Sequence, residues 1–120
     1  MPILLKRVYE KPSPEDGNRV LVERLWPRGL KKEDSKIDEW YKDLAPSTEL
    51  RKWYAHDPSK WTRFKEKYWK ELEQKEDQLS KLSKESMQHT ITFVFASKEE
   101  KLNNATALKE YIETKLKNAQ

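Results

Sequence analysis

The chain has 120 residues, of which 35% are hydrophobic and 38% charged, so it can bury one small core but not two independent ones. It contains no cysteine, which excludes disulfides, a thiolate nucleophile and cysteine metal ligands. The net charge of +4 permits nucleic-acid binding, but solvated lysine-rich helix faces give the same value. We therefore predict a single domain over residues 1–120.

No signal peptide, lipidation motif or run of 18 apolar residues is found in the sequence. We expect a cytoplasmic protein without membrane attachment. The sequence makes no prediction of the oligomeric state.

The first half of the chain begins with two strand patterns. Apolar and β-branched residues predict strands over Ile3–Tyr9 and Arg19–Leu25, separated by a turn rich in proline and glycine. Only about nine residues join the strands, fewer than a parallel crossover usually needs, so their relative direction stays open. A helical period then runs from Ser35 to Pro46, and Ser47 is placed to cap a short helix.

The second half predicts a long helix, a strand and a closing helix. Trp61–Leu72 has amphipathic spacing, and Asp57 precedes Pro58 as a helix cap would. Residues 73–85 form either a second helix or an extension of the first. Thr90–Ala96 is the clearest strand, and the closing helix starts at about Asn104.

These elements predict an α/β fold: a small single domain with a short, mostly parallel sheet flanked by helices. We expect Val20–Val22 and Ile91–Phe95 to occupy neighbouring strands covered by the Trp61–Leu72 helix. Ligands of such folds bind outside the carboxyl ends of the strands.

The segment after the second strand predicts an anion site at that edge. Arg24 and Arg28 flank Trp26 and Pro27, and guanidinium groups beside an indole suit a phosphate or carboxylate ligand. Alternatively, Trp26 belongs to the core and the arginines pair with acidic neighbours. The full predicted anion-binding set is Arg7, Arg24, Trp26, Arg28 and Lys98.

Three further residues could support the site, namely Asp57, Ser97 and Asn104. Ser97 follows the last strand and Asn104 opens the last helix, where backbone amides favour anions. Plain helix capping, by Asn103 or Asn104 in the last loop and by Asp57 before Pro58, is the favoured explanation of these residues. His56 next to Asp57 resembles a base with an orienting carboxylate, but adjacent side chains seldom face each other.

The motifs of common cofactor enzymes are missing from the sequence. With two glycines, it has no phosphate loop, dinucleotide fingerprint or nucleophile elbow. Two histidines without cysteine show no zinc-ligand spacing. We predict no metal and no cofactor.

Three functions fit these features. The first is binding of a small phosphorylated or carboxylated molecule, which leaves open an enzyme acting on it. The second is a nucleic-acid-binding module that uses lysine, arginine and exposed tryptophan. The third is an interaction subunit whose exposed aromatic residues bind a protein.

Several blocks, in the same order, resemble a known family. Lys6–Tyr9, Arg19–Gly29, Ala45–Tyr54, His56–Pro58 and Phe95–Asn104 together are similar to the YeaO-like branch of the bacterial domain-of-unknown-function 488 family. The resemblance runs almost end to end and implies a small α/β fold with a shared polar pocket.

Two departures from the family pattern concern the expected pocket. Glu23 stands where the family typically has Asp, and Ser97–Glu99 with Asn104 stands where an Ala-Arg-Asp run and a His are common. If the family site depends on that Arg and His, Lys98 and Asn104 count against full activity here.

Overall fold

The computed structural model of the chain describes residues 3–116, in which four short strands form one sheet. The strands are β1 (Ile3–Arg7), β2 (Asn18–Leu21), β3 (Glu39–Trp40) and β4 (Ile91–Phe95), in the spatial order β1-β4-β2-β3. Every neighbouring pair runs parallel. The predicted α/β fold is confirmed, and the first two strands, whose direction the sequence left open, both run parallel to β4.

The helices largely follow the sequence patterns. They are α1 (Lys32–Ser35), α2 (Thr48–Tyr54), α3 (Trp61–Leu72), α4 (Glu76–Gln88) and α5 (Asn104–Tyr111), with a π-helical turn over Ile112–Leu116. Short 3-10 turns cover Pro14–Asp16, Lys42–Leu44 and Pro58–Lys60. Residues 73–85 thus contribute to a separate helix and do not simply extend α3. None of the described helices combines the length and apolar character that a membrane span requires.

The helix predicted between Ser35 and Pro46 is wrong. Lys36 adopts a left-handed backbone (φ 52°) and ends α1, and residues 39 and 40 then pair with β2 as the edge strand β3. Ile37 and Trp40 pack on the sheet instead of forming a helical stripe. Strand pairing has overridden a helical period that was only about two turns long.

The second strand ends earlier than predicted. Pairing in β2 stops at Leu21, one further bond joins the Val22 amide to the Val94 carbonyl at 3.4 Å, and the chain bends at Arg24 and Leu25. Leu25, predicted to be the last residue of this strand, is 67% exposed. Its side chain lies at the mouth of a cavity described below.

Alternation along β4 divides the core between the two sheet faces. Ile91, Phe93 and Phe95 belong to the larger cluster, whereas Val94 belongs to the smaller one with Val8 and Leu21. Helices α2 to α5 cover the larger cluster, where α3 contributes Phe64, Tyr68 and Leu72. As expected, β2 and β4 are neighbouring strands, and α3 shares the larger cluster with them. The helix that packs directly on β4 and β1 is α5, whereas α3 packs mainly on α2 and α5.

The opposite face of the sheet is covered by the segment that follows β2. Trp26, Leu30, Ile37 and Trp40 pack there against the smaller cluster. The two indole rings meet edge to face with centroids 5.4 Å apart. The polar edge at the strand ends therefore lies between a helical layer and an aromatic layer.

Candidate functional site

A cavity of about 510 Å³ opens on the helical side of the sheet, at the carboxyl ends of β2 and β4. Residues along the length of α2 and the N-terminus of α5 form its other walls. This is the position at which open parallel sheets bind ligands. Its lining consists of Glu23, Leu25, Ala45, Pro46, Thr48, Arg51, Lys52, Tyr54, His56, Phe64, Ala96, Ser97, Asn103 and Asn104.

The backbone beside Glu23 is held from both layers. The Trp40 indole donates to the Glu23 carbonyl at 2.6 Å, and the Asn104 side-chain amide donates to the Val22 carbonyl at 2.6 Å. These two carbonyls lie beyond the paired part of β2 and outside any helix, so the side-chain bonds supply the hydrogen-bond donors that they would otherwise lack. They fix the point from which the Glu23 side chain enters the cavity.

The loop from Ser97 to Asn103 is closed by its own hydrogen bonds. Ser97 Oγ accepts from the Glu99 amide at 3.0 Å, and Glu99 Oε2 accepts from the amides of Lys101 (2.7 Å) and Leu102 (3.2 Å). Asn103 donates to the Glu99 carbonyl at 2.8 Å and caps α5 by accepting from the Thr106 amide at 3.0 Å. The N-terminus of α5 is thereby held in place at the cavity, with its positive dipole end toward the sheet edge.

The cationic wall comes from α2 and the residues after it. Ser47 accepts from the Leu50 amide at 3.1 Å, so the helix buries Leu50 and Tyr54 and leaves Arg51 and Lys52 exposed at the cavity. Among residues 3–116, neither cationic side chain makes a hydrogen bond or an ion pair with the protein. Both charges are available to a ligand, and that of Arg51 also acts on the Glu23 carboxyl.

His56 reaches the cavity through an unusual backbone. Ala55 and His56 both have positive φ (48° and 56°), a conformation that costs non-glycine residues roughly 1–3 kcal/mol each. The chain thereby reverses at the end of α2 and places His56 on the cavity lining, 6.4 Å from the Tyr54 ring.

Glu23 is the acidic group of the cavity. Burial raises the pKa of its carboxyl, while the Ala96 amide, Arg51 and Asn104 act in the opposite direction. The Ala96 contact is long, at 3.4 Å, so the carboxylate retains acceptor capacity. Within residues 3–116 no group of three or more histidine or acidic side chains is arranged to hold a metal ion.

Two residues of the predicted site, Ser97 and Asn104, line this cavity. Two predicted arginines instead bind carbonyls of its walls. Arg7 donates to the carbonyls of Ser97 (3.0 Å) and Ala96 (3.4 Å), and Arg24 to those of Pro46 and Ala45, both at 3.1 Å. These guanidinium groups position the backbone of the cavity wall.

The remaining predicted residues lie away from the cavity lining. Trp26 donates to the Leu30 carbonyl at 2.7 Å on the opposite face of the sheet, and Arg28 and Lys98 are exposed. Asp57 accepts from the amide and the hydroxyl of Ser59 at 3.0 and 2.8 Å, the capping geometry. Those hydrogen bonds lower the pKa of the Asp57 carboxyl.

The tryptophans do not form an open stacking surface. All five are partly buried, and lysine ammonium groups lie over four of them, for example Lys42 at 4.2 Å from the Trp40 ring centre and Lys67 at 4.7 Å from that of Trp53. Such cation–π contacts cover the ring faces that nucleic-acid bases would use.

Three cavity residues, Glu23, Arg51 and Lys52, were not in the predicted site, although Glu23 stood out as a departure from the family pattern. Glu23 carried one usable signal, since it directly follows the apolar run of β2. For Arg51 and Lys52 the sequence carried no such signal, apart from predicting that they lie on the exposed side of a capped helix. Only the tertiary fold brings α2 to the strand ends.

The fold and cavity define a small parallel α/β protein with a mixed-charge pocket at the strand ends. The chain belongs to the DUF488 family, since the family model described as the inactive DUF488-N3 subclade matches residues 2–120. This confirms the resemblance noted from the sequence.

Bacterial relatives cover nearly the whole chain. It is 39% identical to the uncharacterized protein YeaO of Escherichia coli (strain K12) over 112 residues, which is 93% of this chain and 97% of YeaO. It is 38% identical over 110 residues to the uncharacterized protein Rv3073c of Mycobacterium tuberculosis (strain H37Rv), 92% of each chain. No solved structure gives a significant match.

Proposed function

We propose that this protein binds a small phosphorylated or carboxylated molecule in the cavity at the carboxyl ends of β2 and β4. The observation that carries the proposal is the pair of cations on α2. Arg51 and Lys52 line the cavity, and neither forms an ion pair with an acidic side chain within the described residues, although Arg51 acts electrostatically on Glu23.

Electrostatics favours an anion over a neutral ligand. Two permanent cations and His56 share the lining with a single carboxyl, that of Glu23. The N-terminus of α5 adds a positive partial charge. Guanidinium binds phosphate or carboxylate through paired hydrogen bonds, which makes Arg51 the principal anchor in this proposal.

The proposed role is binding without turnover. The matching subclade is described as inactive, which supports a protein that retains the ligand pocket and has lost the chemistry. The self-closed loop from Ser97 to Asn103 and the wall carbonyls held by Arg7 and Arg24 are consistent with a preformed receptor.

Arg51→Gln should weaken the binding of inorganic phosphate by about 10- to 100-fold, because a charged hydrogen bond contributes roughly 1.5–3 kcal/mol. In the wild type, phosphate at 100 times its Kd should add about 2.7 kcal/mol to the free energy of unfolding. Thermal melts at constant ionic strength, with chloride replaced stepwise by phosphate, measure both effects.

Arg28→Gln is the matched control, because Arg28 is an exposed arginine outside the cavity lining. It should retain the full phosphate effect. Loss of the effect in Arg28→Gln with retention in Arg51→Gln would move the site to the segment after β2. Oligonucleotide binding that weakens steeply with salt, without a phosphate effect, would favour the nucleic-acid alternative.

A further inference from the structure

We infer that the ligand of this cavity carries an N–H donor group as well as its anionic group, and that Glu23 accepts the hydrogen bond from that donor. This inference rests on the proposed function, since it assigns a second recognition element to the same cavity. It is carried by the position and the unmet hydrogen-bonding capacity of the Glu23 carboxylate.

Glu23 lines the cavity, and hydrogen bonds hold the backbone from which its side chain projects. Its backbone carbonyl is bound by Trp40 and the preceding carbonyl by Asn104. These bonds hold the main chain at the strand end, so the side chain projects into the cavity from a fixed Cα. A carboxylate so held is part of the receptor surface.

The protein fills only part of the hydrogen-bond acceptor capacity of the Glu23 carboxylate. An ionised carboxylate offers about four acceptor positions, and the Ala96 amide approaches one oxygen only to 3.4 Å. The Asn104 side-chain amide, which donates one N–H to the Val22 carbonyl at 2.6 Å, can offer the carboxylate only its second N–H. A partly buried acceptor of this kind gains most from a donor that the ligand supplies.

The positive and negative side chains of the cavity lie on different walls. The cations belong to α2, whereas Glu23 belongs to the end of β2. Arg51 already acts electrostatically on Glu23, so a plain anion bound by Arg51 would share that cation with the Glu23 carboxylate and repel it, which opposes binding. A ligand with an ammonium, amide or ring N–H beside its acidic group removes this repulsion and satisfies both walls.

The apolar part of the lining sets the size of such a ligand. The cavity has a volume of about 510 Å³, and its apolar lining comes from Leu25, Pro46, Tyr54 and Phe64. This space accommodates the carbon skeleton of a small organic acid together with its charged groups. The chemical class is therefore an acid with an N–H donor separated from the acidic group by a short carbon skeleton.

The test compares ligands that differ in the donor alone. Aminoalkyl phosphates with two to four carbons carry N–H groups, their N-trimethyl analogues keep the positive charge without a donor, and ethyl phosphate has neither. Affinities are measured by calorimetry at pH 8 for the wild type and Glu23→Gln. We expect at least one aminoalkyl phosphate to bind the wild type about tenfold tighter than its trimethyl analogue.

In Glu23→Gln this preference should fall below about twofold while ethyl phosphate binds at least as tightly as before, because a negative charge has been removed. Equal wild-type affinity for aminoalkyl and trimethyl compounds, or a preference that survives in Glu23→Gln, would overturn the inference and leave the anion site intact. Failure of every phosphate, including ethyl phosphate, to bind would instead overturn the proposed function with it.

Discussion

Asp16→Ala should lower the free energy of unfolding by about 3–5 kcal/mol, because it leaves a buried cation without its partner. Arg19 is 3% exposed, and its guanidinium donates to Asp16 Oδ2 at 2.6 Å, while Lys6 approaches the same carboxylate at 3.2 Å. The cluster joins β1, the turn and β2. Urea unfolding of the wild type and the variant measures the loss.

Asp34→Ala provides the control, since Asp34 is exposed and makes no ion pair within the described residues. It should change stability by no more than about 0.5 kcal/mol. A similar small effect for Asp16→Ala would contradict the buried cluster as a determinant of stability.

The Asp16 contribution should depend on pH with a definite sign. Burial acts to raise the pKa of Asp16, but hydrogen bonds from the Ser13 amide, Lys6 and Arg19 outweigh it and hold the pKa below its ordinary value. The stabilisation is therefore complete above about pH 4 and is lost as the pH falls through the lower folded-state value. The difference between wild type and Asp16→Ala should shrink in acid.

Gly17→Ala should cost roughly 2–6 kcal/mol, from an unfavourable backbone conformation together with a direct clash. Gly17 has φ 64° and ψ −133°, a region reserved for glycine, and an added Cβ would lie 2.2 Å from the Thr90 carbonyl oxygen. That oxygen accepts from the Asn18 amide at 3.0 Å where β2 begins beside β4. The clash cannot be relieved without disturbing the central strand pair.

Gly29→Ala separates the two causes, because Gly29 also has positive φ (74°) but an added Cβ would meet no atom within 4 Å. Its cost should be limited to about 1–2 kcal/mol of backbone strain. Thermal or urea unfolding of both variants gives the comparison. Equal costs at the two positions would show that the approach to Thr90 does not matter.

The sequence predicted those parts of the fold that local patterns determine. The amphipathic spacing of Trp61–Leu72 predicted α3, and the β-branched run before Phe95 predicted β4. The predicted caps are also present, since Ser47 caps α2 and Asp57 caps the 3-10 turn that begins at Pro58. The edge strand β3 escaped prediction because two paired residues cannot outweigh a helical period in the sequence. Only the presence of β2 beside them selects the extended form.

The site shows the same limit. The sequence pointed to the strand ends, and Ser97 and Asn104 do line the cavity there. It could not foresee that Arg7 and Arg24 would bind wall carbonyls, since those acceptors come from residues about 90 and 20 positions away. The sequence does not show which acceptor an arginine or lysine side chain will bind, because that acceptor is determined by the tertiary structure.

An anion site at the carboxyl ends of β2 and β4 can be detected by an NMR titration of the ¹⁵N-labelled protein with inorganic phosphate at constant ionic strength. Phosphate bound in the cavity should give saturable shifts concentrated on the backbone amides of Ala96, Ser97, Asn104 and Ala105 and on α2 around Arg51. Weak, unsaturable shifts spread over the lysine-rich surfaces of α3 and α4, with the cavity amides unchanged, would contradict it.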